Sequence, residues 1–179
     1  MPALQVLLPI GIMAHYAAVA ADTFSSELGI LSQTQPFLIT APWKRVPKGT
    51  NGGVTIEGLI YGGLGSFLMT VTAIVACHFG PPHLSMVPHT TFLISMAGLM
   101  GSVLDSLLGA VCQATVTDKR SGKVVEGSSG ARVQVKEGGS RRQMGWDLLT
   151  NNGVNFTMAT LTSLLAMGMA WELDVGVSR

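Results

Sequence analysis

The chain has 179 residues, of which 47% are hydrophobic and only 12% are charged, and its mean hydropathy is +0.44. Soluble domains carry roughly 25% charged residues. In this chain the charged residues are fewer, and they are concentrated between long apolar stretches. The composition therefore excludes an ordinary soluble domain and indicates a polytopic membrane protein, in which about 20 apolar residues cross the hydrocarbon. A net charge of +1 says nothing about nucleic acid, and we expect no nucleic-acid partner. The two cysteines, both in apolar segments, indicate neither a disulfide framework nor a zinc site.

Four apolar stretches predict an all-α membrane protein, a bundle of about four transmembrane helices in a single domain. The start of the first stretch lacks the charged region and cleavage site of a secretory signal, so we expect it to be retained as a span. The predicted spans cover about residues 3–21, 54–79, 89–115 and 152–171, which leaves polar loops at 22–53 and 116–150.

A row of small residues marks one face of the second span. Gly58, Gly62 and Ser66 recur every four residues, and small residues let two membrane helices approach closely. We predict that this face packs against a neighbouring span.

The positions of lysine and arginine predict the orientation. Three follow the first span and seven follow the third, namely Lys44, Arg45 and Lys48, then Lys119, Arg120, Lys123, Arg132, Lys136, Arg141 and Arg142. Cytoplasmic loops collect such residues, so both loops are predicted to be cytoplasmic and both termini to face the other side. We expect a multi-pass protein whose partner is the lipid bilayer, in an endomembrane such as the endoplasmic reticulum if the source is eukaryotic. The sequence leaves open whether the protein forms a homo-oligomer.

The second basic loop is long enough to hold structure of its own. The runs 114–117, 122–126 and 131–136 are β-prone and are separated by Gly and Ser, which favours a small β-hairpin. The same Gly and Ser residues are equally typical of a disordered connector. We interpret the basic residues of this loop as a topology signal. Alternatively, they contact lipid head groups or a nucleotide.

A glycine-rich segment, residues 43–55, joins the first basic loop to the second span. Glycines leave backbone N–H groups uncovered, and the start of a helix carries free donors and a positive dipole end, so the segment suits an anion such as phosphate. Its spacing is not that of a Walker loop, and a charged membrane-proximal turn is the alternative. The candidate phosphate-binding residues are Lys48, Gly49, Thr50, Asn51, Gly52, Gly53 and Thr55.

Polar side chains from all four spans are predicted to lie at the depth of this segment: Asp22, Thr23, Ser25, Ser26, Glu27, Glu57, Asp105, Ser106, Asn151, Asn152 and Asn155. Ionisable groups in membrane segments usually face a cavity and are functional. Carboxylates beside phosphate oxygens suit Mg²⁺. As alternatives, Asp22 caps the next turn and Ser25 satisfies backbone groups. In an ideal helix Asp22 and Glu27 point about 140° apart, so they share a site only if the helix breaks or the site wraps around it.

Four motifs occur in order along the chain: 21–29 (ADTFSSELG), 46–55 (VPKGTNGGVT), 101–113 (GSVLDSLLGAVCQ) and 151–155 (NNGVN). Together they closely resemble the transmembrane protein 19 family of integral membrane proteins, which includes phytyl-phosphate kinases. The resemblance covers about residues 13–165. It implies phosphorylation of an isoprenoid monophosphate by a nucleoside triphosphate, CTP or ATP, with Mg²⁺. The N-terminal spans usual in the family are expected to be missing here.

The resemblance also implies roles for the site residues. Asp22, Glu27 and Asp105 would hold Mg²⁺ and act with Lys48 in catalysis. The loop 48–53, with Thr55, Ser25 and Ser106, would hold phosphates, while Asn152 and Asn155 orient the acceptor. Two alternatives stay open at this point, namely an ion- or solute-transporting protein that uses the same acids, and an inactive, truncated partner subunit.

Overall fold

The structure, a computed structural model, describes residues 2–80, 88–125, 127 and 132–173. It contains four helices that are long and apolar enough to span a membrane: α1 (Pro2–Gly29), α2 (Ile56–His78), α3 (Pro88–Cys112) and α4 (Asn151–Glu172). The predicted all-α polytopic bundle is confirmed. We call the end where α1 and α3 finish and α2 and α4 begin the loop end of the bundle.

Two small antiparallel sheets cover the loop end. The first lies between α1 and α2, in the order β2-β1-β3, and the second lies between α3 and α4 and pairs β4 with β5. The strands are β1 (Phe37–Leu38), β2 (Ala41–Arg45), β3 (Gly53–Val54), β4 (Thr115–Asp118) and β5 (Arg141–Met144).

The first helix is the centre of the bundle, because α1 packs against each of α2, α3 and α4. Its buried positions are mostly alanines, including Ala14, Ala17, Ala18 and Ala21, all fully buried. Small side chains on α1 let the surrounding helices approach its backbone, so packing does not require large apolar residues. Many large apolar side chains of the bundle instead lie on its outer surface, as expected where lipid is the solvent.

The predicted small-residue face of α2 is confirmed as a packing face. Gly58, Gly62 and Ser66 are buried, and a Cβ added to Gly62 would lie 3.3 Å from the carbonyl oxygen of Ala21. The Ser66 hydroxyl donates to the carbonyl oxygen of Ser95 at 2.7 Å, which ties α2 to α3. This face therefore contacts two neighbouring helices.

The first helix is longer than the sequence predicted. It continues past residue 21 to Gly29, so Asp22 lies inside the helix and does not cap a following turn. The hydroxyls of the polar segment are satisfied inside the helix, since they donate to carbonyls one turn back: Thr23 Oγ1 to Val19 at 2.9 Å and Ser26 Oγ to Asp22 at 2.9 Å. A fall in hydropathy ended the predicted apolar span, but it does not end the helix.

The second basic loop forms a hairpin whose second strand was not predicted. β4 pairs with β5, and a single bridge joins Thr117 to Val124. The run 131–136 forms no strand over residues 132–136, and its first residue lies outside the described part. At the turn after β4, the backbone N–H and hydroxyl of Ser121 and the N–H of Arg120 donate to Asp118 and hold the pKa of its carboxyl below the usual range.

Replacing Gly98 with alanine should destabilise the bundle, because a Cβ there would lie 2.8 Å from the Ala17 Cβ and would also overlap the Ser66 hydroxyl. Overpacking of this kind costs about 1–3 kcal/mol. Gly63→Ala is the matched control, since Gly63 is also helical but has nothing within 4 Å of an added Cβ. Thermal unfolding midpoints in detergent should fall for Gly98→Ala only; equal midpoints would contradict the packing described.

Candidate functional site

A cavity of about 480 Å³ lies at the loop end of the bundle. It is bordered by parts of all four helices and by the glycine-rich segment between β2 and α2. Thirteen of the fourteen predicted site residues border it: Asp22, Ser25, Glu27, Lys48, Gly49, Thr50, Asn51, Gly52, Gly53, Thr55, Asp105, Ser106 and Asn155. The structure therefore brings residues from four separate segments to one cavity.

The residue that does not border the cavity is Asn152, and its neighbour Asn151 does so instead. Asn151 and Asn155 are four residues apart and therefore share one face of α4, whereas Asn152 lies about 100° further round. Asn152 is exposed. The spacing of four residues is the signal that could have selected Asn151 from the sequence.

Two carboxylates, Asp22 and Asp105, face each other across the α1–α3 contact. Asp22 lies seven residues before the end of α1 at Gly29, and Asp105 lies seven before the end of α3 at Cys112. Both are therefore about 10 Å from their helix ends at 1.5 Å per residue. They are half-buried and close enough to interact electrostatically, and the buried Ser102 lies beside Asp22.

The fourth helix holds one of these carboxylates in place. With the Asn155 amide oriented to face its acceptors, its nitrogen donates to Asp105 Oδ1 at 3.1 Å and to the Asn151 carbonyl oxygen at 3.1 Å. One carboxylate oxygen of Asp105 is thereby fixed. Asn155 thus positions an acidic side chain, and its predicted role in orienting an acceptor remains a prediction.

The third predicted carboxylate is placed differently. Glu27 is exposed and lies on the same continuous helix as Asp22, five residues away, so the two side chains point about 140° apart. Within the described residues, no three His, Cys, Asp or Glu side chains lie close enough to hold one metal ion. Glu57 does not border the cavity; its carboxylate accepts a hydrogen bond from Thr34 at 3.0 Å. The acidic centre of the cavity is therefore the Asp22–Asp105 pair.

The glycine-rich segment is a tight loop that packs on α3. Gly49 and Gly52 have φ of 82° and 73°, a region that side chains other than glycine rarely adopt. A Cβ on Gly52 would also lie 2.8 Å from the Ser106 carbonyl oxygen and would overlap Ala110. Glycine is required at position 52 for its backbone angle and for its close contact with α3.

Hydrogen bonds fasten the same loop to the start of β4. The backbone N–H of Asn51 donates to Thr115 Oγ1 at 3.1 Å, and its side-chain amide donates to the Ala114 carbonyl oxygen at 2.8 Å. Among the bonds formed within residues 2–80, 88–125, 127 and 132–173, none uses the backbone N–H of Gly49 or Gly52. These two donors beside the cavity are the kind that cradle a phosphate.

Lys48 and Thr55 border the cavity and also form hydrogen bonds that hold the local structure. The Lys48 ammonium donates to the carbonyl oxygens of Ile30 and Ser32, and since an ammonium has three donors, one remains for a ligand. The Thr55 hydroxyl accepts from the Gly58 N–H at 3.0 Å and caps α2, which begins at Ile56.

Polar groups deeper in the bundle belong to helix packing. The hydroxyl of Thr70 donates to the Ser66 carbonyl oxygen at 2.8 Å, and that of Ser163 donates to the Gly11 carbonyl oxygen at 2.8 Å. The acidic residues of the described helices lie near helix ends, not at mid-span. The described helices therefore contain no row of acidic residues that runs from one end of the bundle to the other.

The fold and the cavity define the class of protein: this is a multi-pass integral membrane protein with a polar, acidic cavity at one end of its bundle. Residues 2–163 match the DUF92 family of integral membrane proteins, and the chain belongs to that family. The resemblance to the transmembrane protein 19 family, drawn from four motifs, is confirmed by this match and by the relatives that follow.

The chain is 42% identical to Protein PGR of Arabidopsis thaliana over 159 residues. The aligned region covers 87% of this chain and 52% of that protein. It is 30% identical over 107 residues to Protein VTE6, chloroplastic, of the same plant, covering 60% of this chain and 30% of that protein. An uncharacterized membrane protein of Methanocaldococcus jannaschii is 40% identical over 102 residues, which cover 57% of this chain and 39% of that protein. The chain thus spans about half or less of these relatives, and no solved structure matches it.

Replacing Gly52 with alanine should loosen the loop from α3. Gly122→Ala is the control, because Gly122 has a similar φ of 68° but nothing within 4 Å of an added Cβ. Both variants bear left-handed backbone strain of about 1–2 kcal/mol, and only Gly52→Ala adds overlap with Ala110, about 1–3 kcal/mol more. Trypsin cleavage after Lys48 should accelerate in Gly52→Ala alone; similar rates in both variants would mean that the contact with α3 does not hold the loop.

Proposed function

We propose that this chain carries the phosphoryl-transfer site of a membrane-embedded isoprenoid-phosphate kinase. The reaction would move the γ-phosphoryl group of a nucleoside triphosphate, CTP or ATP, to an isoprenoid monophosphate such as phytyl phosphate. The observation that carries the proposal is one cavity bordered by a carboxylate pair, a lysine and a glycine loop. Two backbone N–H groups of that loop form no hydrogen bond within the part of the chain that the structure describes.

The glycine loop supplies the phosphate-binding side of the cavity. The N–H groups of Gly49 and Gly52 and the remaining donor of Lys48 are suited to phosphate oxygens. The loop is already held by Asn51 and by its contact with α3. Little reorganisation is needed when charge develops, which is what stabilises a transition state electrostatically.

The carboxylate pair supplies the side suited to a metal ion. Mg²⁺ binds oxygen ligands and typically takes one or two carboxylates together with phosphate oxygens and water. Asp22 and Asp105 both border the cavity and interact electrostatically, and their carboxylates would hold the ion with hard oxygen ligands, whereas Glu27 does not form a cluster with them. When bound, the ion would neutralise charge on the phosphates.

The chemical step needs positioning more than covalent catalysis. A terminal oxygen of the isoprenoid monophosphate forms a bond to the γ-phosphorus, and the bond from that phosphorus to the β–γ bridging oxygen breaks. The products are an isoprenoid diphosphate and a nucleoside diphosphate. Reactions of this type are catalysed almost entirely by alignment and by neutralising charge, which are the properties that this cavity offers.

The position of the cavity also agrees with a lipid substrate. It lies at one end of a bundle of four apolar helices, so a phosphate can lie in the cavity while an isoprenoid tail stays in the hydrocarbon. The family resemblance implies the same reaction for characterised members. The names of the relatives specify no reaction, so the chemistry proposed here depends on the cavity and the motifs.

Purified protein in detergent, given phytyl, geranylgeranyl or farnesyl monophosphate with CTP or ATP and Mg²⁺, should yield the corresponding diphosphate. Asp105→Asn should lower the rate by about 100-fold or more, because one of the two metal-binding carboxylates is lost. Glu172→Gln is the control, as it also converts a carboxylate to an amide but lies exposed at the far end of α4.

Product formation that stops with a chelator and with Asp105→Asn, but not with Glu172→Gln, would support the kinase and its metal site. Unchanged turnover in Asp105→Asn would remove that residue from the site. Folded protein that neither forms a diphosphate nor binds a nucleotide in the presence of Mg²⁺ would contradict the proposed function.

A further inference from the structure

A second cavity, of about 180 Å³, adjoins the first, and the proposed function does not use it. Gly49, Asn51 and Asn151 border both cavities. We propose that this second cavity binds the base of the nucleoside triphosphate whose phosphates lie in the larger cavity. The inference rests on the proposed function and assigns the base a place of its own.

The size of the second cavity suits one flat ring system. Cavities that enclose whole drug-sized ligands measure roughly 300–1,000 Å³, so about 180 Å³ accommodates only part of such a molecule. Because the glycine loop forms a shared border, a ligand that crosses it places one end in each cavity. A nucleotide has this division, with a compact aromatic base at one end and a charged phosphate chain at the other.

Apolar walls of the second cavity offer faces for a ring. Val116 of β4 is buried, and Val124 and Val133 are half-buried, and all three border the cavity. Arg132 is a further wall residue, fixed by an ion pair with Asp147 at 3.1 Å and by a hydrogen bond to the Leu148 carbonyl oxygen at 3.3 Å. A guanidinium plane held in this way can stack on an aromatic ring.

Amide groups at the same cavity offer hydrogen bonds for the edge of a base. The half-buried side chain of Gln113 borders the cavity and forms no hydrogen bond within the described residues. Asn51 uses its amide nitrogen on Ala114, which leaves its side-chain oxygen as an acceptor. A side-chain amide presents one acceptor and two donors, the combination that side chains use to read base edges.

The test compares two probes on the full chain in detergent with Mg²⁺: a nucleoside triphosphate, tried as CTP and as ATP, and inorganic tripolyphosphate, which lacks the base and sugar. Wild-type protein should bind at least one nucleotide about tenfold or more tighter than tripolyphosphate. Gln113→Leu should raise the nucleotide Kd about tenfold, since it removes the base-edge hydrogen bonds, and should leave tripolyphosphate binding unchanged.

Gln134→Leu is the matched control, because Gln134 is exposed, lies between α3 and α4 as Gln113 does, and borders neither cavity; its nucleotide Kd should equal that of wild type. Unchanged tripolyphosphate binding also shows that Gln113→Leu is folded. If tripolyphosphate binds and neither nucleotide binds tighter, or if Gln113→Leu has no effect, the base site is overturned while the phosphate site stands. If folded protein binds none of the probes, both the proposed function and this inference fail.

Discussion

The close approach of α1 to α2 and α3 is the constraint on which the rest of the structure depends. It is possible because alanines of α1 meet glycines of its neighbours, as Ala17 meets Gly98 and Ala18 meets Gly101. In a membrane the hydrophobic effect does not drive helices together, so close van der Waals packing must do so. The same approach brings Asp22 of α1 beside Asp105 of α3, and a bulky residue in this contact would separate the acids as well as the helices.

The glycine loop depends on the third helix in a similar way. Gly52 lies against the turn of α3 between Ser106 and Ala110, just after Asp105. Gly52 of the proposed phosphate-binding loop and Asp105 of the carboxylate pair therefore lie against or on the same helix, while Asp22 is contributed by α1. In the proposed phosphoryl transfer, which would be catalysed by alignment and charge neutralisation, this shared support would matter more than the chemical reactivity of any single side chain.

Several residues that border the cavity also form bonds that hold the local structure. Lys48 bonds to carbonyls beyond α1, Asn51 holds the loop to β4, and Thr55 caps α2, yet all three border the cavity. Loss of activity after their substitution would not distinguish a lost ligand contact from a displaced loop. Asp105 is a cleaner probe, because Asp105→Asn keeps the shape of the side chain while it removes the charge.

The sequence by itself determined the four apolar helices, their polar ends and the position of the glycine-rich segment at the same end as the acidic residues, because hydropathy and position along a helix determine depth in a membrane. Only the tertiary structure decided which side of each helix faces the cavity, since rotation about a helix axis depends on packing with neighbours. It selected Asn151 over Asn152 and separated Glu27 from the Asp22–Asp105 pair. It also paired β4 with β5 across more than twenty residues, because strand pairing is a long-range contact that local β-propensity does not specify.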